Sequence, residues 1–235
     1  MDVFSTPYVA RPLAALRWGI MTATLAVASP AAATILGGEA SLNGAPPVAE
    51  NFALLSPPFD VSVPASTVGA DNLQVDRLFA FDENQNVQAE TEIVVEIGGV
   101  IPAGTVVASH YVVFDPRWGA SVAGHIDFDA PILGVATSAW SLGETDRYQN
   151  VGVSYRGVWL RGLEPTDDVR IDPADPFRLL LRLDASSPGD SIRVFTSFSP
   201  SVRRGPRHFA TLPWRRPGRS SQRPLPAVMV AQPPM

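Results

Sequence analysis

An all-β protein, an antiparallel β-sandwich or jelly-roll-like domain of about nine short strands, is the fold the sequence predicts. Three observations predict it. Between residues 75 and 198 apolar side chains recur at every second position in short runs, the period of a strand with one buried face. Those runs are punctuated by turn formers, and the 235-residue chain holds Pro 23 and Gly 18, too many for long helices. No segment shows a sustained helical period alternating with strands, which excludes a parallel α/β sheet.

The elements follow in order. Residues 75–82 (VDRLFAFD) form a first run, ended by the turn Asp82-Glu83-Asn84-Gln85-Asn86. Residues 87–97 read as one strand, with Thr91, Ile93, Val95 and Ile97 on a buried face and Glu90, Glu92, Val94 and Glu96 on a wet one. Gly98-Gly99 turns the chain toward residues 105–114, where both faces carry apolar groups, so that strand is expected to be central. In residues 120–129, Val122, Gly124, Ile126 and Phe128 face inward, while His125, Asp127 and Asp129 face outward. Residues 131–139 (PILGVATSA) are a continuous apolar run, and residues 141–151 break every period, predicting a loop or one helical turn. Runs at 153–160, 168–171, 177–183 and 191–198 complete the set.

The ends differ from the middle. Residues 1–33 have the layout of an export signal: Arg11 and Arg17, an uncharged stretch from Trp18 to Val27, then Ser29-Pro30-Ala31-Ala32-Ala33 as a break and cleavage site, with Thr34 as the expected mature start. The competing reading is an uncleaved anchor. Residues 34–74 are expected to be an extended N-terminal segment leading into the β domain, with 34–51 lacking a clear strand pattern, and 75–198 form the sandwich core. Residues 199–235 hold seven Arg, no acid and eight Pro at 200, 206, 213, 217, 224, 226, 233 and 234, a composition expected to be disordered.

The formal charge of −5 conceals this division: residues 34–200 carry nine Arg against 22 acids. So acidic a body repels nucleic acid and tolerates or attracts divalent cations. Cys 0 means that an exported chain must rely on burial alone, which a domain of about 165 residues can supply. With 46% hydrophobic residues and a mean hydropathy of +0.09, neither a wholly disordered chain nor a multi-span membrane protein fits, and the mature chain is expected to have no membrane span.

Five segments in order carry a resemblance: Phe81-Asp82-Glu83-Asn84-Gln85-Asn86-Val87, residues 101–110 (IPAGTVVASH), residues 128–135 (FDAPILGV), Arg161-Gly162-Leu163-Glu164, and residues 185–194 (ASSPGDSIRV). Together, over roughly residues 75–197, they resemble bacterial exported proteins of the PEP-CTERM sorting-domain type. The resemblance implies a secreted or cell-surface protein of the envelope or extracellular matrix, with no catalytic residues to carry over. The C-terminus departs from that pattern, having Arg and Pro but no apolar span of membrane length. Either the protein is released as a soluble chain or the reading frame shifts near residue 200.

Candidate chemistry is sparse. His125, Asp127 and Asp129 on one strand face, with Asp115 or His110 on a neighbouring strand, have the donors for a divalent ion, Ca²⁺ if oxygens dominate; the bland reading is a solvated polar face. The loop from Asp82 has oxygen side chains like the start of a calcium loop, but Val87 stands where an EF-hand needs Gly and Ile93 where it needs Glu. Ser109 and His110 are adjacent in a strand and point to opposite faces, so they cannot form a nucleophile–base pair. Trp118, Trp140 and Trp159, with Tyr148 and Tyr155, form a stacking platform for a sugar if exposed together, or simply cap the core. Arg161 and Glu164 are placed to pair across a turn.

The leading functional reading is a non-enzymatic exported envelope or matrix module. A carbohydrate-binding surface module, with extracellular polysaccharide or envelope proteins as partners, is the alternative, and a secreted hydrolase working through some pair of the acids comes third.

Overall fold

Alternate burial along the strands builds two layers, and loops add a third. The computed structural model describes residues 34–198. The expected signal segment 1–33 and the basic tail 199–235 lie outside the described residues. In chain order the strands are β1 (Ile35–Leu42), β2 (Phe52–Leu54), β3 (Thr67–Val68), β4 (Leu78–Asp82), β5 (Val87–Gln88), β6 (Ile93–Val94), β7 (Val100–Ile101), β8 (Val106–Phe114), β9 (Ala120–Phe128), β10 (Ile132–Ala136), β11 (Ser154–Tyr155), β12 (Asp168–Asp172), β13 (Asp175–Ala185) and β14 (Asp190–Ser197). One short helix, α1 (Ala139–Glu144), follows β10. Nine of these strands have three residues or more; seven of them, β4, β8, β9, β10, β12, β13 and β14, fall on runs that the sequence period predicts, and β1 and β2 lie ahead of those runs.

A four-stranded sheet in the order β1-β9-β13-β12 faces a larger sheet in the order β10-β14-β8-β4-β2, to which β5 adds at β8. The pairings within both sheets are antiparallel except β2 with β4. Between the sheets lies an apolar core of Leu78, Val112, Phe114, Val122, Ile126, Leu179, Leu181, Leu183, Ile192 and Val194. The expected central strand is central: β8 runs between β14 and β4, buried on both faces. Its odd-numbered residues Val107, Tyr111 and Val113 point away from the sandwich into a second cluster, with Phe79, Phe81 and Phe195. The loops carrying Phe59, Ile93, Val95, Leu142, Tyr148 and Tyr155 cover that cluster.

Three segments depart from the sequence reading, and a fourth takes one of the two forms expected of it. Residues 92–96 keep the predicted alternation, with Ile93 and Val95 buried and Glu92, Val94 and Glu96 exposed, but Thr91, expected inward, is exposed, and residues 87–97 are not one strand. The Gly98-Gly99 turn, both residues at positive φ, closes a local hairpin that pairs β6 with β7, while β5 alone joins β8. Residues 34–51, read as patternless, contain β1, an edge strand paired along β9. Its sequence, ILGGEASL, has glycines where a strand normally shows bulk, which hides it. Close approach is the reason at Gly124 in β9: a Cβ there would stand 2.1 Å from the Glu39 carbonyl oxygen of β1. Residues 153–160 give only β11 and a 3₁₀ turn at Val158–Leu160, separated by the left-handed Gly157. The break at 141–151 is helical, since Ser138 caps α1 in a capping box with Ser141.

Candidate functional site

The outward face of β9 holds two of the three residues singled out from the sequence. His125 and Asp127 are neighbours there, with Nε2 3.7 Å from Oδ2. Arg178 of β13 grips the Asp127 carboxylate with two hydrogen bonds of 2.7 and 3.1 Å, so that acid already has a cation. Asp129 lies past the strand end, where its Oδ1 accepts the Thr34 backbone N–H at 2.8 Å. Asp115 is buried at the end of β8, accepting the Leu73 N–H, and His110 lies in the opposite sheet. The structure brings together His125 and Asp127 and places the other candidates elsewhere.

His110 has the outline of a catalytic triad. Its Nδ1 is 2.7 Å from Asp82 Oδ1 and its Nε2 is 3.0 Å from Thr196 Oγ1. Yet His110 and Thr196 are fully buried, and the ring packs on Phe128, so no substrate carbonyl can reach the hydroxyl. Asp82 also accepts the Thr34 hydroxyl and the Ile35 N–H, so the trio straps the start of β1 to β4, β8 and β14. Ser109 points to the other face, donating to the Tyr148 carbonyl at 2.9 Å.

Under the covering loops lies a chain of paired charges. Arg193 of β14, fully buried, donates from Nε and Nη2 to Glu83 at 2.6 and 3.0 Å. Its Nη1 reaches the Leu142 carbonyl at 2.9 Å, Thr145 Oγ1 at 2.8 Å and Asp146 at 3.4 Å, which fixes the end of α1. Asp146 takes two hydrogen bonds from Arg161 at 2.8 and 2.9 Å. Arg161 therefore pairs with Asp146 and not with Glu164, as its sequence neighbourhood suggested, because the 3₁₀ turn before it carries the guanidinium back under the loop. Tyr155 donates its hydroxyl to Glu83 at 2.7 Å; burial first, and then the Glu83 charge, hold that phenol well above its usual range. Glu83 had looked like a turn residue. The signal for Arg193 was a charge standing in phase with Phe195, on a face that alternation assigns to the interior.

A different arrangement occurs where the loop after Arg161 meets the start of β14. A cleft of about 360 Å³ is lined by Thr137, Ser138, Leu163, Glu164, Asp167 and Asp168, among others. Glu164 and Asp167, together with Asp190, bring carboxylate oxygens within 4.8 Å of one another, and no other group of three such donors arises among the described residues. Asp167 is held by the Glu164 N–H at 2.7 Å and the Asp184 N–H at 2.8 Å. Asp190 is 1% exposed, and its Oδ2 has no hydrogen-bond partner. Burial, then contact with Glu164 and the charges of Asp167, Glu164 and Asp184, push its carboxyl up to about 8. Sequence reading missed this cluster because its members are separated along the chain and only the fold joins them.

Glu96 accepts from the Thr137 N–H at 2.9 Å, Ser138 Oγ at 2.5 Å and Ser141 Oγ at 2.7 Å, and Thr137 and Ser138 also line the cleft. Partial burial pushes its carboxyl up, but these bonds together outweigh that and leave it below the usual range. Trp140 on α1 and Trp159 on the neighbouring 3₁₀ turn are 62% and 88% exposed, and Trp118 in the β8–β9 turn is 77% exposed. These three do not cap the core, whereas Tyr148 is buried within it.

Comparisons with protein-family models, with curated proteins and with solved structures find no match. What the described residues offer chemically is a sandwich in which the His110–Thr196 pair is sealed, plus a surface with indole rings and an acidic cleft.

Proposed function

We propose that this chain is an exported, non-enzymatic module of the bacterial envelope or extracellular matrix that presents a binding surface on a β-sandwich. The observation that carries the reading is the division of its polar groups. Those with the geometry for proton transfer, Asp82, His110 and Thr196, are spent inside the fold, and the exposed chemistry is that of recognition. Export rests on the layout of residues 1–33. Expression of the full chain in an exporting bacterium, followed by fractionation and N-terminal sequencing, tests it: a mature chain starting at Thr34 outside the cytoplasm supports it, and a cytoplasmic chain with Met1 intact overturns it.

Carbohydrate binding is the second reading, favoured by the exposure of Trp140 and Trp159 on two adjoining turns, with Thr91, Glu92 and Glu144 beside Trp140. Polysaccharide binding there shifts tryptophan fluorescence, and Trp140→Ala with Trp159→Ala removes the shift. An unchanged spectrum across envelope polysaccharides excludes this reading while leaving the first in place.

A further inference from the structure

We propose that Glu164, Asp167 and Asp190 form a binding site for a hard divalent cation, with calcium as its natural occupant. Three carboxylates converging within 4.8 Å repel one another unless a cation or a shared proton joins them, and none of the three makes an ion pair among the described residues. Their neighbours behave differently: Asp168 pairs with Arg170 and Asp184 with Arg182. The chain thus supplies arginines to the acids around the cluster and leaves the cluster itself without one.

The second observation is Asp190 itself. It is held in the first position of β14 by the ladder to Phe114, is almost wholly buried, contributes a carboxylate oxygen to the cluster, and has an Oδ2 that accepts no hydrogen bond. A buried carboxylate oxygen without a partner is costly, and a metal ion is the ligand that answers it. Asp167 is preorganised by two backbone N–H groups, and each of its oxygens keeps a lone pair free. Glu164 is exposed on the cleft, which gives an entry path and room for the water ligands that complete a calcium shell. An all-oxygen donor set without His or Cys selects calcium or magnesium over zinc and copper. The site is distinct from the His125–Asp127 face, where Arg178 already occupies the carboxylate. It does not depend on where the protein resides or on whether Trp140 and Trp159 bind sugar.

Isothermal titration of the chelator-stripped chain with calcium chloride, and in parallel with magnesium chloride, tests this directly. Expected are one saturable calcium site per chain and a melting temperature that rises with calcium concentration by mass action. Asp190→Asn and Glu164→Gln each abolish both signals, and Asp127→Asn keeps them. Two variants guard against misfolding, and each is accepted only if its circular dichroism matches the parent. No saturable heat and no melting shift at millimolar calcium, magnesium giving the same silence, overturns the proposal, as does a calcium response that survives in Asp190→Asn. Failure here leaves export and fractionation untouched, so the two readings fail separately.

Discussion

Asp190 and Arg193 stand three positions apart on one strand, both buried, and their surroundings treat them in opposite ways. Around Arg193 the charges are matched: Glu83 and Asp146 meet Arg193 and Arg161 with bidentate geometry, and Thr145 and the Leu142 carbonyl accept from Arg193 while Tyr155 donates to Glu83. Around Asp190 the charges have one sign. A matched cluster belongs to the fold, because removing one member strands another in a dry place. An unmatched cluster costs stability until something from solution completes it, which is the signature expected of a binding site.

The largest effect should come from breaking the matched cluster. Arg193→Met leaves Glu83 buried with only the Tyr155 hydroxyl and should cost about 3–5 kcal/mol in denaturant unfolding. Adding Glu83→Gln should restore part of that loss; a double variant no better than the single would show that packing, not charge, sets the cost. The apolar core between the sheets gives the scale for comparison: Leu179→Ala there should cost about 3 kcal/mol, through lost transfer energy and the cavity left behind. Glu96→Ala removes the acceptor that holds both Ser138 and Ser141 at the cap of α1 and should cost about 1 kcal/mol, the exposure of Glu96 limiting it.

The smallest effect tests the same logic by pH. Burial raises the carboxyl of Asp115, which the Leu73 and Gln74 N–H groups only partly offset. The folded chain therefore holds this proton more tightly than the unfolded one. Its contribution is complete below the usual carboxylate range and is lost as pH rises through the raised value. Asp115→Asn should flatten that part of the stability profile, read as unfolding free energy against pH.

How much of this was legible beforehand follows from the range of the forces involved. Alternation is local, so the sandwich, the central position of β8 and the inward set Val122, Ile126 and Phe128 could be read from neighbours two apart. The same period misled at residues 87–97, because extended chain lying on an apolar surface alternates in burial whether or not it joins a ladder. β1 was invisible, since Gly37 and Gly38 carry no side chain to show a period. The two charge clusters were out of reach for a different reason. Glu83 and Arg193 lie 110 positions apart, and only the packing of β4 and the loop after it against β8 and β14 makes them neighbours. His125 and Asp127 were easy to see because they share a strand, and being easy to see brought no third ligand with it.

Unfolding free energy in chelator-containing buffer, measured side by side for Asp190→Asn and Arg193→Met, tests the contrast between the two clusters most directly. Asp190→Asn should equal or exceed the parent in stability, because it removes an uncompensated buried acid, while Arg193→Met should fall far below it. Two losses of similar size would contradict the account, since Asp190 would then be as much a part of the fold as Arg193.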